Sequence, residues 1–565
     1  MSADFPVALI LILGAALVPL LRGRFRFIYS LLLPVAAFAW VLALPHGEYA
    51  QFELLGQALT AMRVDRLSLL FSYIFLIACL LGVIYAQHVE DRTQQTAALV
   101  YAGGAIGAVF AGDLLTLFVY WELTAISSVL LIWARRQESA YRAGMRYLLV
   151  QLLSGLFLLV GGLMVWRETG SLEFGRIGLS TMGGALVLVA FGIKCAFPFL
   201  HNWLQDAYPE ATPTGTVVLS AFTTKLGVYA LARAFPGTEL LIWVGTAMAA
   251  FPIFYAVIEN DLRRVLAYSM NNQIGFMVVG VGIGTELAVN GAVAHAFADI
   301  LFKALLFMSM GAVLLRTGTV KGSELGGLYK SMPWTTGFCI VGAASISAFP
   351  LFSGFVTKSM IMSAAAHEGL QLTWLVLLFA SAGVFHHAGI KIPYFAFFSH
   401  DSGIHCAEAP KNMLVAMAIT AALCIGIGVF PGTLYRLLPF AVDYEPYTAS
   451  HIVAQLQLLV FSALAFSVLM RTGIYPPELR SVNIDSDWFY RKLGPALACG
   501  VARLWDAFIG SLGALLAYKG GAIGGLIARH RQSDGALVRS WATRSMAMWV
   551  MVMLLAYLVV YYLGK

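Results

Sequence analysis

The chain has 565 residues, 60% hydrophobic and only 12% charged, with a formal net charge of +7. A soluble globular chain is about 45–50% apolar and about 25% charged, so a water-soluble enzyme, a disordered chain and a nucleic-acid binder all fit poorly. The positive balance is what basic cytoplasmic loops give a membrane protein.

The N-terminus reads Met1-Ser2-Ala3-Asp4, stays apolar to Leu21, then carries Arg22, Arg24 and Arg26. A secretory signal places its positive charge ahead of the apolar run. Here the charge follows it, so a retained first helix is expected. A membrane-spanning helix needs about 20 mostly apolar residues. On that measure sixteen spans are predicted, near 6–21, 27–44, 66–86, 96–111, 113–133, 146–166, 184–199, 212–235, 238–258, 264–282, 288–315, 335–363, 372–398, 413–433, 451–470 and 544–563. With the N-terminus outside, the odd-to-even loops before the fifteenth span hold thirteen Lys/Arg and the opposite loops five. The excess of basic residues makes the first set cytoplasmic. The expected location is the inner (plasma) membrane, with both termini extracytoplasmic.

Between the last two spans, about 485–533, Phe489, Leu493, Leu497, Val501, Leu504, Phe508, Leu512 and Leu515 recur at steps of four and three. That is a helical stripe interrupted by charges, and it predicts an amphipathic helix lying along the cytoplasmic membrane surface. Pro495 and the pairs Gly520-Gly521 and Gly524-Gly525 are its candidate breaks.

The chemistry-bearing motifs are few. None of the six cysteines forms a C-x-x-C pair, and no phosphate-binding glycine loop occurs. Buried thiols, no cofactor and no metal are expected. The lysines carry the signal. Of eleven, Lys194, Lys225, Lys303, Lys358 and Lys391 fall inside predicted spans. A charge at mid-bilayer costs about 2.5–3.5 kcal/mol on insertion scales, so these lysines must face a polar interior. Lysine gives up its proton on burial and arginine does not, so the row points to proton transfer rather than anion binding. Glu122, mid-helix in the fifth span, supplies a counter-charge for Lys194. His295, Asp299 and Lys303 stand at steps of four on one face of the eleventh span, a polar wire. In the seventh span Gly192, Lys194 and Pro198 cluster; in the twelfth, Pro350, Gly354 and Lys358 do so. Two interrupted helices five spans apart suggest inverted five-helix repeats over spans 4–8 and 9–13. The expected organisation is therefore N-terminal helices over 1–95, repeats over 96–235 and 236–398, spans fourteen and fifteen within 399–484, the lateral segment 485–533, and a last span within 534–565.

These residues resemble the antiporter-like membrane subunits shared by respiratory complex I (NADH–quinone oxidoreductase) and Mrp-type multisubunit sodium/proton antiporters. The resemblance covers about 60–433. Its carriers are Val64-Asp65-Arg66-Leu67-Ser68, Trp121-Glu122, Gly192 to Pro198 with His201-Asn202-Trp203-Leu204, Ala211 to Thr214, Lys225 to Tyr229, Arg264 to Ser269 with Gln273-Ile274-Gly275, Phe302 to Phe307, and Ser353-Gly354-Phe355 with Lys358. It implies an all-α polytopic fold with a fourteen-helix core and broken seventh and twelfth spans. It makes Glu122–Lys194 the family's glutamate–lysine pair, Lys225 the eighth-helix lysine, Lys303 the central lysine and Lys358 the exit-side lysine. It also implies partners: other membrane subunits of one complex, with protons and Na+ as the transported ions. Many members carry histidine where this chain has Asp299, a carboxylate expected to favour protonated Lys303. The expected function is that of a membrane subunit of a multisubunit complex that translocates protons, as a cation (Na+)/proton antiporter or an energy-coupling proton channel module. A complex I-like oxidoreductase and a module coupled to a hydrogenase or an inorganic-carbon uptake protein are the alternatives, and a stand-alone solute transporter fits less well.

Overall fold

The computed structural model describes residues 4–54, 56–476, 478–479, 483–530 and 543–563. The chain begins with α1 (Val7–Ala15) and α2 (Gly23–Ala43). An antiparallel hairpin follows, β1 (Gly47–Leu54) and β2 (Gln57–Val64), with Gly47 opposite Val64. Then come α3 (Arg66–Tyr85), α4 (Arg92–Phe110), α5 (Leu114–Trp133), α6 (Glu138–Thr169), α7 (Met182–Lys194), the short α8 (Asn202–Ala207) and α9 (Pro213–Ala234). The second half runs through α10 (Glu239–Ile258), α11 (Leu262–Ile283), α12 (Glu286–Thr317), α13 (Pro333–Ile346), α14 (Ser353–His367) and α15 (Gln371–Val384), the last continued by π-helical turns Phe385–Lys391 and Tyr394–Phe398. After it lie α16 (Lys411–Val429), α17 (Gly432–Tyr435) and α18 (Ala449–Thr472).

The helix starts are written in the sequence. Asp65, Asp91, Asp113 and Asp261, and Thr181, Thr212 and Thr285, each accept a bond from a backbone N–H of the first turn. Such a cap is worth about 1 kcal/mol. Gly170, Gly284 and Gly318 end helices in the left-handed conformation that glycine adopts without strain.

A helix stands at each of the sixteen predicted positions, and among the described residues ten are long and apolar enough by themselves to cross a membrane. Two predicted spans are split. The seventh is α7 followed by the turn into α8, and the twelfth is α13 and α14. The two breaks share one backbone signature. Ala196 and Phe199 have φ of 59° and 68°; Ala348 and Leu351 have 57° and 75°. Each pair brackets a Phe-Pro, in Ala196-Phe197-Pro198-Phe199 and Ala348-Phe349-Pro350-Leu351. Proline removes an N–H and forbids a continuous helix, and the left-handed residues turn the chain back into register.

The hairpin is absent from the sequence reading. It has no long apolar run, and only β2 buries residues, Leu59, Met62 and Val64. Arg63 on β2 pairs with Glu48 at 3.1 Å and with Glu173, before α7, at 3.0 Å. Thr60 N–H donates to the Asp113 carboxylate that caps α5. The hairpin thus clasps the ends of α5 and α6.

Contacts divide the chain into two units, one through Asn483 and one from Ile484. At the centre of the first, α9, α11 and α12 are almost wholly buried, and α9 and α12 pack on each other. In the second, a π turn (Phe489–Leu493) leads into α19 (Gly494–His530) and then α20 (Thr543–Leu563). The helix α19 runs unbroken through both glycine pairs, and Pro495 stands at its second residue, directly after the π turn. Residues 531–533 of the expected lateral segment lie outside the described residues. Of the cysteines, Cys79, Cys195, Cys339 and Cys424 are buried as expected, while Cys406 is half-buried and Cys499 exposed.

Candidate functional site

Four of the five intramembrane lysines are buried within the first unit, each held differently. Lys194 is the last residue of α7, at the break, and is fully buried. Its Nζ donates to Thr124 Oγ1 at 2.8 Å and to the Trp121 carbonyl at 3.3 Å, and sits 4.5 Å from the Trp121 ring centre. Trp121 is fixed in turn: its indole N–H donates to Ser154 Oγ, whose hydroxyl donates to the Ala190 carbonyl. Glu122 is the next residue on α5, yet its carboxylate is not a direct partner of Lys194. Its Oε1 is buried without a hydrogen-bond partner and rests against Gly155 of α6, where a Cβ would collide with it.

Lys225 on α9 and Asp299 on α12 form a wholly buried ion pair, Nζ to Oδ2 at 2.7 Å without hydrogen-bond alignment. Lys225 also donates to the Ser220 carbonyl. The nearest counter-charge to Asp299 is therefore on the neighbouring helix as well as along its own. Lys303, one turn beyond Asp299, donates to Ser269 Oγ of α11 at 2.6 Å. His295 bridges two helices, with Nδ1 3.0 Å from Thr357 Oγ1 of α14 and Nε2 3.0 Å from Gln273 Oε1 of α11. Lys358 on α14 donates to the Ile346 carbonyl, which the break leaves free at the end of α13, and lies 5.1 Å from the Phe276 ring centre.

Lys391 differs from these four. It ends the first π turn and donates to the carbonyls of Ala256, Val257 and Glu259, at 3.2, 2.7 and 2.6 Å. Glu478 lies 3.0 Å away. Three carbonyls occupy its three N–H groups, which is the geometry of a cation capping the C-terminal end of α10.

Several groups here are not among the site residues expected from the sequence. Ser269, Gln273 and Thr357 hold the central histidine and lysine. Hydroxyls of Tyr101, Thr223, Tyr147 and Ser128 join α4, α9, α6 and α5 in one hydrogen-bonded row. Both polar side-chain atoms of Gln151, Asn271 and His387 are buried without a partner. Arg263, counted above as a loop charge, is fully buried and donates to the carbonyls of Pro209, Tyr208 and Ala211 beyond α8. It stands in the first turn of α11, so its side chain turns inward to carbonyls that the end of α8 leaves free. Asp65 of the motif Val64 to Ser68 caps α3 and pairs with Arg233 at 2.8 Å. Burial raises its carboxyl, but Arg233 and the bonds from Ser68 outweigh this and hold it below the usual range.

The family model "NADH:quinone oxidoreductase/Mrp antiporter, TM" matches residues 111–385. Among curated proteins, the chain is 27% identical to hydrogenase-4 component B of Escherichia coli, over 81% of this chain and 75% of that protein. It is 30% identical to a Na(+)/H(+) antiporter subunit of Alkalihalophilus pseudofirmus, over 66% of this chain and 52% of that one, about half its length. Among solved structures, a chain of the membrane-bound sulfane sulfur reductase, an archaeal respiratory membrane complex, superposes with a TM-score of 0.71 at 22% identity, covering 98% of this chain and 99% of that one. This last likeness is one of fold.

Proposed function

Since the chain belongs to the antiporter-like membrane subunit family of Mrp antiporters and complex I, and is a multi-pass membrane protein, we propose that it carries protons across the bilayer as one subunit of a larger complex. The observation that carries this reading is the burial of four lysines, Lys194, Lys225, Lys303 and Lys358, each at most 2% exposed. Each is held by carbonyls, by a hydroxyl or by one carboxylate. A lysine can give up its proton and take it back, which an arginine in the same place cannot.

In this reading a proton enters near Glu122 and Lys194 and passes to the Lys225–Asp299 pair. It reaches Lys303 and leaves by Lys358. Glu122, free of direct partners, controls how firmly Lys194 holds its proton. The orphaned polar atoms of Gln151 and Asn271 are where water would join the stations, since an unpaired buried polar atom costs about 1–3 kcal/mol and water is its usual remedy. The transported counter-ion is a monovalent cation such as Na+, and neighbouring subunits supply the driving event. The termini lie outside the cytoplasm.

A second reading has one observation in its favour. The fold shared with the sulfane sulfur reductase chain includes the region after Asn483, so this subunit fits a redox-driven complex as well as a cation antiporter.

Lys194→Ala should abolish proton flux in inverted membrane vesicles, normalised to assembled subunit, and Lys194→Arg should restore little. Arginine keeps the charge but cannot release its proton near neutral pH. Near-normal flux in Lys194→Arg would leave Lys194 as a fixed positive charge.

A further inference from the structure

Lys358 forms part of the wall of a cavity of about 760 Å³. One side is α14, with Phe355, Lys358 and Ser359. The other comes from residues 444–458, the approach to α18 and its first turns, with Glu445, His451 and Gln455. The helix α18 is the fifteenth predicted span, outside the fourteen-helix core that the family resemblance covers. It is nevertheless tied to the break beside Lys358: Gln455 Nε2 donates to the carbonyl of Ser347, the residue that ends α13, at 3.2 Å.

His451 is the residue of interest. Its ring stacks on Phe355, with centroids 4.3 Å apart and planes at 13°. Phe355 precedes Lys358 by three residues, so the two side chains share a helix face. His451 Nδ1 lies 2.7 Å from the Pro446 carbonyl. A carbonyl can only accept, so Nδ1 carries the hydrogen and Nε2 keeps its lone pair. The bond to Pro446 and the stack on Phe355 therefore hold the ring in the tautomer that takes up a proton at Nε2. Lys358 and His451 both line the cavity, whose volume holds many waters at about 30 Å³ each.

We propose that His451 is the outlet relay of this subunit, taking the proton that Lys358 releases and passing it to solvent. The ammonium of Lys358 becomes the amine, a water in the cavity carries the proton, and Nε2 of His451 becomes N–H. The imidazolium then returns one proton to bulk water on the side where α18 begins, beside the exposed carboxylate of Glu445. The proposal rests on the reading of Lys358 as the outward end of the path. It adds a function for a helix beyond the fourteen.

The test uses the assembled complex in inverted membrane vesicles, with flux normalised to assembled subunit, and three variants in parallel. His451→Asn keeps a donor for the Pro446 carbonyl, and His451→Phe keeps the stack on Phe355; neither has a nitrogen that can take a proton. Both should lower flux by about 10²-fold, the lower end for loss of a positioned acid–base group. Imidazole inside the vesicles, on the outlet side, should restore flux in His451→Asn. Lys358→Ala reports on the path itself. If Lys358→Ala runs at the normal rate, the reading of the path is wrong. If Lys358→Ala is inactive while either His451 variant runs normally, the path stands and the relay is overturned. Low flux in His451→Asn without imidazole rescue overturns it too, leaving His451 as packing.

Discussion

Lys225 and Asp299 carry opposite charges 2.7 Å apart where neither side chain reaches solvent. Removing one partner strands the other as a bare charge, at a cost of about 3–5 kcal/mol. Asp299→Asn and Lys225→Ala should therefore each lower the thermal stability of the purified complex. The double variant Lys225→Met with Asp299→Leu should recover much of it, since well-packed apolar residues replace a buried pair at little cost. Flux should stay lost in all three. A single variant that melts with the wild type would mean that the pair holds nothing together. At this scale the lysines were legible because a mid-span charge is costly enough to need a reason. The Asp299–Lys225 contact was not, because helical spacing relates Asp299 only to its own helix, where Lys303 is the next group. Ser269 and Gln273 entered only as members of the family's motifs, with no role attached, and Thr357 gave no signal. Neutral hydroxyls and amides are cheap in a span, and only tertiary packing brings these three to the charged groups.

Two helix breaks repeat the same local conformation. Ala196 and Ala348 occupy the left-handed region at φ of 59° and 57°. An L-residue pays about 1–2 kcal/mol there, and glycine does not. Ala348→Gly and Ala196→Gly should leave thermal unfolding unchanged or raise stability by up to about 1 kcal/mol, after glycine's own loss of unfolded-state entropy. Ala348→Val should cost several times as much, because a β-branched residue is poorly accommodated at that φ. Thermal melts in detergent, read on assembled material, decide between these. Equal melts for Ala348→Gly and Ala348→Val would mean that the turn relaxes away from its left-handed form. The prolines and glycines announced both breaks, yet 335–363 was read as one span. Its apolar run continues through the turn, so hydropathy does not register the interruption. The hairpin was missed for the opposite reason: an eight-residue strand that buries every second or third residue leaves no apolar run to find.

Across the whole chain, the order and placement of the spans were readable because backbone in lipid must satisfy itself, and helices are how a single segment does so. The arrangement of the tail was harder to read. The helix α19 is 37 residues long, about 55 Å at 1.5 Å per residue, more than a bilayer's hydrocarbon core requires. Charges such as Lys492, Arg503 and Asp506 border or interrupt its stripe. A surface helix followed by one crossing predicts that a reporter after Lys565 is extracytoplasmic and one inserted near Gln532 cytoplasmic. Reporter activity on the same side at both points would remove the last crossing or make α19 a crossing itself.

The capping geometry of Lys391 has a stoichiometric consequence. Five lysines lie buried in the spans, but the one at 391 already spends every N–H on the end of α10, with a carboxylate beside it. Each proton that such a group gives up costs one bond to the helix end that it closes. On the proposed path, which runs through Lys194, Lys225, Lys303 and Lys358 and leaves Lys391 as a cap, the lysine-borne protons of one turnover number at most four. Any larger number of protons per cycle must be loaded on carboxylates, on histidines or in neighbouring subunits.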